Sequence, residues 1–231
     1  MIDHESEKKA AARRAAEYVQ DGMKVGLGSG TTTAYAIRFL GERIAKEALQ
    51  IVGVPTSEAS RKLAVEVGIP LMTELEEFQL DLAIDGADQV DYAGTLIKGG
   101  GGALLHERIV DGATAQFLVI GDSSKLVNPI GSKSIAIPVE VFPLGWKNTM
   151  RRLEALGSKA KLRYINESNP FISDEGNYII DCWFDSLDDP LKLADLLQAM
   201  IGVADHGIFI GMAHRVIIAR GIHLEEFTLT C

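Results

Sequence analysis

The residues from Lys98 to Arg108, Lys-Gly-Gly-Gly-Gly-Ala-Leu-Leu-His-Glu-Arg, include the types that proton-transfer chemistry needs. The consecutive glycines leave backbone N–H groups unshielded and admit φ > 0, so this stretch can wrap a small anion. The apolar run that follows predicts a helix, and a helix N-terminus favours negative charge through its free N–H groups and its dipole. Glu107 falls about one and a half turns into that helix. A carboxylate beside a lysine and an N–H-rich loop combines a base with oxyanion stabilisers, as removal of a proton next to a carbonyl requires. A glycine linker before a surface helix is the plain alternative, and the rest of the chain argues against it.

Gly26-Leu27-Gly28-Ser29-Gly30-Thr31-Thr32-Thr33 forms a second glycine turn. A dinucleotide fingerprint would need glycine at position 31, and a P-loop would need Gly-Lys-Ser/Thr; neither is present. What remains is a phosphate cradle made by Ser29, Gly30, Thr31 and Thr32, with more hydroxyls than a helix cap needs. Asp85-Gly86-Ala87-Asp88 supplies paired carboxylates without the spacing of a calcium loop, suited to holding sugar hydroxyls or to dividing acid and base roles. Lys125 follows Gly121-Asp122-Ser123-Ser124, and sequence leaves open whether Lys8 or Lys9 on the first helix reaches the same region. His106-Glu107 begins like a zinc-protease motif, but Val110 stands where the second histidine belongs, and His4, His206, His214 and His223 make no ligand spacing. No catalytic metal is expected.

These motifs are punctuation between alternating elements. Helices are expected over Lys9–Val19, Ala34–Ala45 and Ser57–Val67, and strands over Met23–Leu27, Ile51–Val54, Leu80–Ile84 and Phe117–Ile120. The alternation predicts a mostly parallel α/β sheet covered by helices, Rossmann-like, and each motif falls just past the C-terminal end of a strand, where open α/β sheets bind ligands. After about Gly131 the order becomes β-α-β-β-α-β: a strand over Ser134–Val141, a helix over Trp146–Leu156, a hairpin of Ala160–Ile165 with Asn177–Phe184, a helix over Leu187–Met200, and a short strand at Val203–Asp205. This is a ferredoxin-like α+β unit. The expected division is therefore 1–130 plus 206–231 for the α/β catalytic domain and 131–205 for the insert, with Gly207–Gly211 and Arg215–Arg220 as strands returning to the first sheet.

Composition narrows the function. The net charge of −9 argues against a nucleic-acid binder yet allows a locally positive pocket. Cys182 and Cys231 make neither a disulfide framework nor a zinc motif, in keeping with a reducing compartment, and Cys182 reads as core. The acidic N-terminus lacks a signal-peptide core and no apolar run approaches the ~20 residues of a membrane span, so a cytoplasmic protein without membrane association is expected.

Together, Gly28-Ser29-Gly30-Thr31-Thr32, Asp85-Gly86-Ala87-Asp88, Lys98-Gly99-Gly100-Gly101-Gly102 with Glu107, and Lys125 resemble the type A family of ribose-5-phosphate isomerases across nearly the whole chain. The resemblance implies interconversion of ribose 5-phosphate and ribulose 5-phosphate through an enediolate without metal or organic cofactor, and a homodimer or homotetramer. It makes Glu107 the proton-transferring base, with Asp85 and Lys98 beside it in catalysis. It makes Ser29 to Thr32, Asp85 to Asp88, Lys98 to Gly101 and Lys125 the substrate contacts. The first loop departs from the family's frequent Gly-Thr-Gly-Ser-Thr but keeps a hydroxyl at each place. The tail from Gly221 to Cys231 matches less well and receives no role. Three rivals are a sugar-phosphate sensor, which would add a DNA-binding segment, an acyl-CoA transferase using a glutamate nucleophile, and a purely structural protein.

Overall fold

A computed structural model describes residues 3–131 and 135–229. Ser134, at the start of one expected strand, and Cys231 lie outside them. The elements run α1 (His4–Ala16), β1 (Lys24–Leu27), α2 (Thr31–Glu47), β2 (Val52–Pro55), α3 (Glu58–Glu66), β3 (Leu82–Gly86), β4 (Gln89–Val90), β5 (Leu96–Ile97), α4 (Leu104–Gly112) and β6 (Phe117–Asp122). They continue with β7 (Ile137–Val141), α5 (Trp146–Ala155), β8 (Lys159–Leu162), β9 (Tyr178–Trp183), α6 (Pro190–Gln198), β10 (Val203–His206), β11 (Ile208–Phe209), β12 (Arg215–Arg220) and β13 (His223–Thr228).

The main sheet has the order β13-β12-β6-β3-β1-β2. Its strands are parallel except β13, which folds back antiparallel on β12. The inner strands are short continuous apolar runs buried along almost their whole length, as a sheet covered on both faces requires. Helix α1 starts earlier than its alanine pattern suggested, because Asp3 caps it by accepting from the N–H groups of Glu5 and Ser6. Its buried alanines at 11, 12, 15 and 16 let it lie close over α2, β6 and β12. Glu7 pins that helix to two strand ends: its carboxylate accepts from Ser123 N (3.0 Å), Ser123 Oγ (2.7 Å) and Gly221 N (2.7 Å).

The second sheet is antiparallel, in the order β10-β7-β9-β8, with α5 and α6 completing the β-α-β-β-α-β order expected from sequence. It has its own core of Ile137, Val139, Leu153, Ile180 and Leu197. Two expectations are corrected. The segment at 207–211 does not return to the main sheet: Ile208–Phe209 pairs with Leu96–Ile97 in a small third sheet, β11-β5-β4. The tail, which the sequence left without a role, is the edge strand β13 of the main sheet. The small sheet has functional weight, because it delivers Lys98 directly off the end of β5, with Lys98 N–H donating to Gly207 O at 2.8 Å.

Candidate active site

The C-terminal ends of β1, β3 and β6, the glycine loop after β5 and the first turns of α2 and α4 enclose a cleft of about 340 Å³. Its wall contains Ser29, Gly30, Thr31, Thr32, Gly86, Ala87, Asp88, Lys98, Gly99, Gly100, Gly101, Glu107 and Lys125. The sequence motifs, scattered over about a hundred residues of chain, thus meet in one place because a parallel sheet presents all its C-terminal ends along one edge.

Helix α2 opens on Gly30 at φ 98° and has no side-chain cap, so its first N–H groups face the cleft unmasked. Ser29 does not cap the helix. Its Oγ instead donates to Ser57 Oγ at 2.7 Å and lies 2.8 Å from Thr56 Oγ1, within a hydroxyl cluster that includes Ser60. Ser29 therefore lines the cleft with its hydroxyl already engaged, while Thr31 and Thr32 follow on the helix itself.

Beneath the cleft lies a group of charges closed off from solvent. Lys98 is 2% exposed; its Nζ donates to Gly86 O at 2.6 Å and lies 2.9 Å from Asp85 Oδ2, 3.7 Å from Glu107 Oε2 and 3.7 Å from Asp111 Oδ2. Burial alone works against a charge on Lys98, but Asp85, Glu107 and Asp111 outweigh it and hold its proton affinity above the ordinary lysine range. One ammonium cannot balance the three carboxylates around it. Burial pushes Glu107 up to about 8, Asp85 and Asp88 adding to the rise and Lys98 opposing it. Burial likewise raises Asp111 well above the carboxylate range, reinforced by Asp85.

Asp85 differs from the expectation that it touches the sugar. It is fully buried behind the wall, and its Oδ1 accepts from Ser29 N (2.9 Å) and Gly86 N (2.6 Å). Close packing holds it there: a Cβ on Gly28 would lie 2.1 Å from the Asp85 carboxyl carbon. Asp88 is the carboxylate on the wall, its Oδ2 accepting from Gly100 N at 2.7 Å. The Gly102 N–H goes to Gly99 O, which leaves the N–H groups of Gly99 and Gly101 without a partner among the described residues.

The sequence did not single out His4, Asp122, Ser124 or Asp111. His4 reaches the cleft because α1 crosses the end of β6, while Asp122 and Ser124 line it from that strand end itself. Asp111 had a signal, since it stands four residues after Glu107 and so shares its helix face. Of the two candidate lysines on α1, Lys8 lines the cleft, while Lys9 sits 5.2 Å over the Tyr35 ring. His4, Glu7 and Asp122 also approach one another, but Glu7 and Asp122 are already bonded to Ser123, Gly221 and Ser124.

Fold and cleft define an α/β enzyme with a buried, lysine-paired glutamate at the sheet's ligand-binding edge. The family ribose 5-phosphate isomerase A (phosphoriboisomerase A) matches residues 52–221, and the chain belongs to it. The chain is 49% identical over 220 residues to ribose-5-phosphate isomerase A of Synechococcus sp. (strain JA-3-3Ab), covering 95% of each. A solved D-ribose-5-phosphate isomerase in complex with phospho-erythronic acid superposes with a TM-score of 0.94 at 39% identity, covering 98% of this chain and 100% of that one. The enzyme of Methanocaldococcus jannaschii superposes with a TM-score of 0.92 at 39% identity, over 97% and 99% of the two chains.

Proposed function

We propose that this chain interconverts D-ribose 5-phosphate and D-ribulose 5-phosphate, a step of the non-oxidative pentose phosphate pathway, with Glu107 carrying the proton between C2 and C1. Family membership supports the reaction. The observation that supports the base is Glu107 itself, 5% exposed, on the cleft wall and 3.7 Å from a buried ammonium. Burial makes it a stronger base than a solvated carboxylate, and Lys98 keeps the ionised form within reach.

The phosphate docks at the uncapped start of α2, against Gly30 to Thr32, with Lys8 and Lys125 supplying positive charge. The same anchoring places the sugar's reactive end over Glu107. As the proton leaves C2, negative charge grows on the carbonyl oxygen, and the free N–H groups of Gly99 and Gly101 are the donors set to receive it. Asp88 holds sugar hydroxyls. Asp85 works one layer back, fixing Lys98. The relative bound to phospho-erythronic acid supports a sugar-phosphate acid as a ligand for this cleft.

The same reading takes 1–130 with 206–231 as the catalytic unit and 131–205 as an insert, the assembly as a homodimer or homotetramer, and the compartment as the cytoplasm. No described helix is long and apolar enough to cross a membrane. One assay tests the proposal: metal-free protein with EDTA and ribose 5-phosphate, followed by ketose formation. No ribulose 5-phosphate above the uncatalysed rate would refute it.

A further inference from the structure

The insert reaches back and holds the glycine loop. Arg163, immediately after β8, donates from Nη1 to Gly99 O at 3.1 Å and to Gly100 O at 3.0 Å. Its other face is fixed: Nε donates to Asp181 Oδ2 at 2.9 Å, and Nη2 donates to Asp181 Oδ1. The backbone holds it too, with Arg163 N–H given to Ile179 O and Phe171 N–H given to Arg163 O. Phe171 then fills the space beside Gly102, where a Cβ would lie 2.4 Å from its ring.

A peptide's C=O and the next residue's N–H share one plane and point opposite ways. Holding Gly99 O toward Arg163 aims the Gly100 N–H away from it, where it meets Asp88 Oδ2 at 2.7 Å. Holding Gly100 O the same way aims the Gly101 N–H away from Arg163, and Gly101 lies on the cleft wall. A glycine-rich loop otherwise has the greatest freedom to let these planes rotate.

We infer that Arg163 is a positioning residue for isomerisation, a guanidinium on the inserted unit that locks two peptide planes of the glycine loop, seating the Gly100 N–H on Asp88 and presenting the Gly101 N–H to the substrate. It does not touch substrate. The inference rests on the proposed reaction for its kinetic consequence, while its structural consequence stands apart from it. Lysine cannot replace arginine here, since it keeps the charge but lacks a fork able to engage Asp181 and both carbonyls at once.

The test is Arg163→Lys, with Asp181→Asn as a milder loosening of the same fork. Misplaced N–H donors weaken the transition state more than the ground state. In Arg163→Lys, kcat should fall roughly 10- to 100-fold while KM for ribose 5-phosphate stays within about threefold. Amide hydrogen exchange at Gly100 and Gly102, whose N–H groups are bonded to Asp88 Oδ2 and Gly99 O, should accelerate in the protein without substrate while exchange in β3 and β6 does not. Should the wild type fail to isomerise ribose 5-phosphate, the proposed reaction falls and the exchange data alone decide the positioning role. Loop exchange unchanged in both variants overturns the inference, and so does a loss confined to KM.

Discussion

Lys98 Nζ and Asp85 Oδ2 lie 2.9 Å apart with both side chains withdrawn from water, the lysine 2% exposed and the aspartate 0%. Such a pair contributes little net stability on its own, but breaking it leaves uncompensated buried charge. Lys98→Met abandons Asp85, Glu107 and Asp111 together. It should lower unfolding free energy by about 3–5 kcal/mol. Urea unfolding at pH 8 measures this, and a loss below about 1 kcal/mol would mean that the carboxylates relax without their partner.

Glu107→Gln keeps size and hydrogen bonding and removes the base. General-base catalysis contributes about 10²–10⁴-fold, so kcat should fall by at least ~100-fold with KM little changed. Steady-state kinetics on purified protein decides it; retained activity would transfer the proton to another group, Asp88 first.

The pH dependence of wild-type kcat/KM should carry the same signature. Glu107 must be ionised to accept a proton, and burial lifts it to about 8, so the rate should rise with pH through that region. Because Glu107 and Asp111 share one ammonium, the observed limb belongs to the cluster as a whole. An acid limb near 4 to 5, in the range of a solvated carboxylate, would contradict the buried environment.

Stability should respond to the same groups in a fixed direction. Glu107 and Asp111 both hold protons more tightly folded than unfolded. Their contribution is therefore complete below the unfolded values of 3.8 and 4.5, and for Glu107 it is lost as pH rises through about 8. Asp111→Asn removes one of the two. The variant should gain on the parent as pH rises and match it near pH 4. Melting temperatures across that range are the measurement, and parallel curves would show that Asp111 finds a proton donor.

The two lysines of α1 give a paired test. Lys8→Ala should raise KM for ribose 5-phosphate about tenfold, by loss of one charge-assisted contact, while Lys9→Ala leaves it unchanged. Equal effects would place the phosphate elsewhere. Thr32→Val, which deletes a hydroxyl from the start of α2, should also raise KM without unfolding the protein.

How much of this was legible in the sequence depended on distance along the chain. The glycine and aspartate motifs were readable because each is local and each ends a strand, and the sheet then assembles them. Lys8 was visible only as one of two candidates, since helix phase against a distant strand is set by packing. Arg163 gave no signal: the two glycine carbonyls it holds lie more than sixty positions upstream, and an arginine after a polar strand reads as surface. Strands β4 and β5 escaped because two-residue runs carry no period, and β11 was expected as a strand but given to the main sheet, since sequence does not name a strand's partner. Asp85 was recognised by motif, but its burial behind the cleft wall was not readable, because sequence does not tell a wall from the layer behind it.

Gly28 and Gly101 mark opposite ends of what the cleft can be engineered to accept. At Gly28, any Cβ would meet the Asp85 carboxyl, so that position is closed to design. Gly101 has an ordinary negative φ and nothing within 4 Å of where a Cβ would stand, yet it lines the same cleft. A small library at this single site would place new side chains directly against a bound sugar while leaving the buried charges beneath untouched. The glycine run is thus one rigid support with one adjustable face, and substrate range is the trait that face can change.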